Sequence, residues 1–262
     1  MIAEAQGVQG NSLSPTLPQV ESANNETLIA AVLRGSANRG IPWIFLEGTE
    51  TEAEQINKYL DERQIPNHLY MYAAGNEESF KRLSGTSTSI IHLATHGFFL
   101  DDVENENQSD ILQQIGDSRG QRAFENPLLR SGLLMAGGNR AWTGVDVIDG
   151  IEDGILTAEE IAQMNLVNTQ LIVLSACETG LGEANSAEGV FGLQRAFKLA
   201  GVETLIMSLW QVPDDATAEL MSAFYQLWLS GKTKSEAFAE AQRQVREKYE
   251  KSFYWAGFVV MD

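Results

Sequence analysis

The chain has little sulfur chemistry, little positive charge and few imidazoles: one cysteine, three histidines, and 18 basic against 36 acidic residues among 262. A single thiol, Cys177, excludes an internal disulfide, which agrees with a reducing compartment. The formal net charge of −18 opposes a phosphate backbone, so no direct nucleic-acid partner is expected and basic protein partners fit better. No apolar run approaches the ~20 residues of a membrane span, and the start, MIAEAQGVQG, lacks the basic and apolar segments of a secretory signal. The expectation is a cytoplasmic chain with no membrane partner. There is no C-x-x-C pair, no G-x-x-x-x-G-K loop and no cofactor fingerprint, so no cofactor is expected. Apolar residues, by contrast, make up 44% of the chain, enough for the core of one large α/β domain.

The chain is organised around LIVLSACETG, residues 171–180. Its first four residues are branched and apolar, too short a run for a globular helix and suited to a strand buried on both faces of a parallel sheet. The run passes through Ser175 and Ala176 to Cys177, and Gly180 and Gly182 then free the backbone. SIIHLATHGF, residues 89–98, has the same pattern: Ile90, Ile91, Leu93 and Ala94 make a buried strand, and His96 sits at its end. Ligands of open α/β sheets lie beyond the carboxyl ends of the strands. If the two strands are parallel neighbours, about 5 Å apart, His96 comes beside Cys177. That is the arrangement of a cysteine nucleophile activated by an imidazole.

At these stretches the sequence resembles the CHAT domain, a caspase-like cysteine peptidase module of the separase, caspase and gingipain clan, often found behind tetratricopeptide repeats in bacteria. The matching blocks are HLATHGF (92–98), NPLLRSGLLMA (126–136), DGILTAEEI (153–161), VLSACETGLG (173–182), residues 188–200, SLWQVPDDAT (208–217) and YWAGFVV (254–260). The resemblance implies a three-layer α/β sandwich with a mostly parallel central sheet and helices on both faces. It places His96 and Cys177 on the catalytic positions and nominates the backbone N–H groups of Gly97 and Cys177 as oxyanion donors. It also implies a protein or peptide substrate and a tetratricopeptide-repeat or other regulatory partner.

In chain order, residues 1–40 carry little apolar periodicity and read as a linker or a degenerate front, with the peptidase-type domain over 41–262. On the family pattern, this front is shortened and the chain reads as a fragment or split module. Thr51 and Glu54 form a capping-box pattern ahead of a helix to about Arg63. Leu69 to Tyr72 is a strand candidate and Glu77 to Leu83 a short helix. Asp101 to Glu125 is polar and loop-like at the rim of the site, either a substrate-guiding lid or a solvated insertion. Leu128 to Ala136 is a strand or hairpin arm, and Asp146 to Gly154 an acidic loop. Thr157 with Glu160 caps a short helix through Met164. Ala187 to Ala200 is helical and ends at Gly201, and Glu203 to Trp210 is a buried strand. Asp214 caps a further helix, Thr233 with Glu236 opens the last, through about Tyr249, and Phe258 to Met261 closes the sheet.

The same residues exclude two competing chemistries. His92 and His96 form H-x-x-x-H, but four residues of strand span about 13 Å, so they cannot share a metal ion, and no metal site is expected. His92 reads as a core histidine, and His68 has no assignment. A phosphatase loop needs arginine six residues after the cysteine, and the residue there is Glu183. Acyl transfer remains: His96 takes the thiol proton, the thiolate attacks a carbonyl, and His96 protonates the leaving amine. Asp214 is the candidate substrate-binding residue. Its segment resembles that of separase, where an aspartate receives the arginine preceding the cut, and a carboxylate there would hold a guanidinium in bidentate fashion. The alternatives are a non-catalytic caspase-like interaction module in a bacterial signalling or defence assembly, and a thiol hydrolase acting on a small ester or amide.

Overall fold

The computed structural model describes residues 2–6, 42–99, 126, 128–145, 150–175, 186–210 and 212–262, and for 2–6, 47 and 186–190 the backbone alone. In chain order the first elements are β1 (Ile2–Gln6), α1 (Glu47–Glu62), β2 (Asn67–Tyr70), α2 (Glu77–Lys81), β3 (Thr88–Leu93), β4 (His96–Phe99), β5 (Ser131–Leu134) and α3 (Asn139–Trp142). The rest are β6 (Ile155–Thr157), α4 (Ala158–Gln163), β7 (Leu171–Leu174), α5 (Ser186–Leu199), β8 (Thr204–Ser208), α6 (Asp214–Leu229), α7 (Lys234–Lys248) and β9 (Phe258–Met261).

The main sheet has the order β2-β1-β3-β7-β8-β9. β3, β7 and β8 pair in parallel, while β1 is antiparallel to both its neighbours and β9 to β8, so four of the six strands run one way. β7 lies inside this sheet, and all four of its residues are buried. The pleat sends its side chains alternately to two cores. Leu171 and Val173 face Ile56 and Leu60 of α1 with Leu220 and Phe224 of α6 and Phe238 of α7. Ile172 and Leu174 face Phe80 of α2, Ile161 of α4, and Leu193 and Phe197 of α5. The result is the three-layer α/β/α sandwich, and burial of each β7 side chain contributes about 1.5–3 kcal/mol. A smaller antiparallel sheet, β4-β5-β6, carries the chain on from β3.

Local chemistry explains the helix ends. Thr157 and Thr233 each accept the backbone N–H three residues on, and Glu160 and Glu236 reach back to the cap N–H groups. Gly201, at φ +98°, turns the chain after α5 in a conformation that disfavours a Cβ.

Several expectations are corrected. Ile2–Gln6, read as part of a linker or degenerate front, is a strand between β2 and β3, with Ile2 opposite both Tyr70 and Leu93. α1 begins four residues before Thr51, behind Leu46, with no side-chain cap; the S/T-x-x-E pattern there falls within a helix already under way. Asp214 is the first residue of α6, which follows Pro213 without a side-chain cap. His96, expected at the end of the β3 strand, follows that end by three residues and opens β4 in the second sheet. The short β6, buried throughout, lies between the loop expected to end at Gly154 and the helix expected from Thr157. The loop expected over Asp101 to Glu125, residues 146–149 of the acidic loop, and Cys177 with Gly180 and Gly182 lie outside the described residues.

Candidate active site

β3 ends at Leu93, and Ala94 and Thr95 turn the chain into β4, whose first residue is His96. The Thr95 hydroxyl donates to the Leu134 carbonyl and ties this turn to β5. His96 is 8% exposed. Its ring packs on Trp43 at 4.8 Å between centroids, and Trp43 in turn meets the edge of Trp142 at 5.3 Å. Nε2 of His96 lies 2.7 Å from the Ile44 carbonyl oxygen. A carbonyl only accepts, so Nε2 carries a proton and donates it to Ile44. The group orienting His96 is therefore a backbone carbonyl, which no sequence motif announces.

Ile44 is itself held. The Asn139 side chain takes the Trp43 N–H at 2.9 Å and donates to the Trp43 carbonyl at 3.0 Å, so the segment preceding α1 is clamped to the start of α3. Sequence reasoning missed this segment; its one signal was the apolar cluster Trp43-Ile44-Phe45 ahead of a polar helix.

The β7 side of the site is fixed to within two residues of Cys177. The Ser175 N–H donates to the Leu93 carbonyl at 3.1 Å, and its hydroxyl donates to Glu52 Oε2 at 3.0 Å. Glu52, on α1, is 2% exposed, and its other oxygen lies 3.0 Å from Nε2 of His92. This is an ion-pair distance rather than an aligned hydrogen bond, since neither atom has a well-aligned partner. Nδ1 of His92 meets the Tyr225 hydroxyl at 3.2 Å. Burial, and secondarily the Glu52 charge, push the Tyr225 pKa up, so the hydroxyl keeps its proton. His92 is thus the core histidine expected, in a buried chain Ser175–Glu52–His92–Tyr225 that joins β7, α1, β3 and α6.

Asp214 is exposed, and Oδ2 accepts the Gly48 N–H at 3.3 Å. Its carboxylate thus serves the start of α1, whose first N–H groups have no helical partner. A Cβ on Gly48 would overlap the Asp214 side chain, so glycine permits the approach. Ile44 and Gly48 are four residues apart, at most ~14 Å of chain, so one segment touches both His96 and Asp214. Gly97 lies in β4 opposite Leu133, and buried.

Away from His96, Glu77, Glu152 and Glu160 offer oxygens within 4.8 Å of one another. The cation among them is the Lys81 ammonium, at 2.7, 2.9 and 2.9 Å. Burial, then repulsion from Glu160, raises the Glu77 carboxyl to about 8 despite Lys81. Burial works against the Lys81 charge, but Glu160 and Glu77 outweigh it and raise its pKa. Three carboxylates share one ammonium, so the cluster holds a proton easily.

A cleft of about 510 Å³ opens beside His96, between residues 43–49, 72–75 and 134–139. Among the described residues no helix is long and apolar enough to cross a membrane.

Comparison with known proteins agrees with this architecture. Tetratricopeptide repeat protein 28 of Homo sapiens is 34% identical over 116 residues, 42% of this chain, and the Mus musculus protein of the same name 32% over 109 residues, 41% of this chain. In each case the match spans only 4% of the relative, and these relatives are mammalian. The model of the CHAT domain matches residues 3–262, which takes in all of β1 but Ile2, and the chain therefore belongs to the CHAT domain family.

Proposed function

We propose that the chain is a cysteine endopeptidase working through a His96/Cys177 dyad. The observation that carries this reading is the orientation of His96. Its Nε2 proton is committed to Ile44, so Nδ1 is the nitrogen that removes the Cys177 proton. The pairing is supported by β3 and β7 being parallel neighbours with Leu93 opposite Leu174, since His96 and Cys177 each follow a paired strand end by three residues in the sequence.

In this mechanism the Cys177 thiolate attacks the scissile carbonyl, forming a C–S bond while the carbonyl π electrons move to oxygen. The backbone N–H groups of Gly97 and Cys177 stabilise that oxyanion. Its collapse expels the amine, which takes the proton from His96 Nδ1. Water, deprotonated by the same nitrogen, then hydrolyses the thioester and regenerates the thiol. Trp43 limits water on one face of the imidazole, and the Ile44 carbonyl stabilises the imidazolium.

Asp214 selects a basic side chain before the cut. Its carboxylate is exposed at the end of the parallel strands and engaged by one backbone N–H alone among the described residues, so it keeps oxygen lone pairs for a guanidinium. A tetratricopeptide-repeat protein is the proposed regulatory partner, an idea supported by the repeat-protein relatives. Cys177→Ala and His96→Ala should each abolish both peptide cleavage and labelling by a cysteine-directed peptidyl probe, with each variant still unfolding cooperatively. Cleavage at the wild-type rate by either variant would exclude the dyad.

A further inference from the structure

The cleft beside His96 has three properties that bear on substrate choice. First, among the described residues no Asp, Glu, Lys or Arg lines it, in a chain whose net charge is −18. Second, its threonine and asparagine side chains are already committed within the protein. Thr49 donates to the Leu46 carbonyl at 2.6 Å, Thr95 to that of Leu134, and Asn139 is spent on Trp43. Most of the surface offered to a ligand is apolar, from residues such as Phe45, Ala94, Leu134 and Met135. Third, its rim exposes large apolar side chains to water: Ile44 is 82%, Phe45 57% and Tyr72 62% exposed.

Tyr72 is also strained. Its φ of +51° is the left-handed conformation that a bulky side chain avoids. A residue so exposed recovers nothing for that strain from core packing. The strain instead fixes the ring: it stacks on Phe45 at 6.5 Å between centroids and 16° between planes, and its hydroxyl is tied to Glu50. Strained residues of this kind collect at ligand sites, where position matters more than stability.

We infer that this cleft binds an apolar side chain, aromatic or long aliphatic, of a peptide beside the scissile bond, and that Phe45 and Tyr72 form its specificity-determining wall. The inference rests on the endopeptidase reading for its substrate class. A volume of about 510 Å³ suits this occupant, falling within the ~300–1,000 Å³ of small-ligand sites. The His96 imidazole is part of the lining, so a side chain seated there brings its own peptide bond to the reacting nitrogen. The apolar cleft and Asp214 are reached from opposite ends of the segment 44–48, which makes them separate subsites of one peptide.

The test separates binding from cleavage. Short fluorescent peptides carrying Phe, Leu, Asp or Gly at each position in turn are titrated against the full chain bearing Cys177→Ala. One position should favour Phe or Leu over Asp by on the order of tenfold. Phe45→Ala and Tyr72→Gly should each remove most of that preference, and Tyr72→Phe should keep it. Tyr72→Gly should also leave the thermal midpoint unchanged or raised, because glycine accepts the left-handed backbone; a purely structural tyrosine would lower it. Absence of saturable binding, no apolar preference at any position, or a preference surviving both substitutions overturns the inference. Apolar-selective binding together with a wild-type chain that cleaves none of these peptides would count against the endopeptidase reading alone, and cleavage without apolar selectivity against the cleft alone.

Discussion

Replacing Glu52 by leucine removes the centre of the buried chain under the site. Glu52 and His92 are 2% and 1% exposed, and the carboxylate receives both the Ser175 hydroxyl and the His92 contact. Water cannot replace a partner at that depth, so the variant leaves a buried imidazole and a buried hydroxyl unsatisfied. Breaking a buried pair by removing one member costs about 3–5 kcal/mol. For a domain of this size each kcal/mol moves the midpoint by roughly 2–4 °C, so Tm should fall by roughly 6–20 °C. Urea unfolding followed by tryptophan fluorescence gives the same quantity at constant temperature. The double variant Glu52→Leu with His92→Leu should recover part of the loss, because an apolar pair of similar volume needs no partner, and the cycle should show a coupling above about 1 kcal/mol. A single-variant loss below about 1 kcal/mol, or strict additivity, would refute the view that this pair locks α1 to the strands.

Glu77 gives a pH dependence. Its carboxyl, raised by burial to about 8 from an ordinary 4.5, keeps a proton in the folded chain that the unfolded chain has lost, so between those values unfolding releases a proton. Stability should therefore fall as pH rises from 5 to 8, by up to about 1.4 kcal/mol per pH unit, and Glu77→Gln should flatten the profile; a flat wild-type profile would contradict it. Thr233→Ala removes the α7 capping box and should cost about 1 kcal/mol by urea titration, with no change in thiol labelling. Asp214→Asn should lose the preference for Arg or Lys before the cut while retaining thiol reactivity, and equal cleavage after Met or Leu by the wild type would leave Asp214 as the acceptor for α1 alone.

Where chemistry is local, the sequence was readable. The four branched residues of β7 form a strand because nothing else lets all four be buried so briefly. Thr157 and Thr233 begin helices because each cap needs only itself and the glutamate three residues on. The same pattern at Thr51 failed, since its helix was already running from Glu47 under contacts that span the chain. Ile2–Gln6 is a strand through pairing to β2 and β3, partners some 60 to 90 residues distant, and its own IAEAQ pattern is too weak to announce it. His92 was legible as a core residue; its partners Glu52 and Tyr225 were not, because a glutamate on a polar helix gives no sign of being buried. The atom that orients His96 is a main-chain oxygen, which any residue at position 44 would supply.

Cys177 is the sole cysteine, so alkylation of the intact chain reports on that thiol and no other. The pH dependence of its iodoacetamide rate, in wild type and in His96→Ala, tests the dyad without any knowledge of the substrate. If His96 activates Cys177, the wild-type rate should reach half its plateau well below the ~8.5 of a free thiol, and His96→Ala should move it to that value or above. Coincident profiles for the two proteins, both near 8.5, would contradict the account.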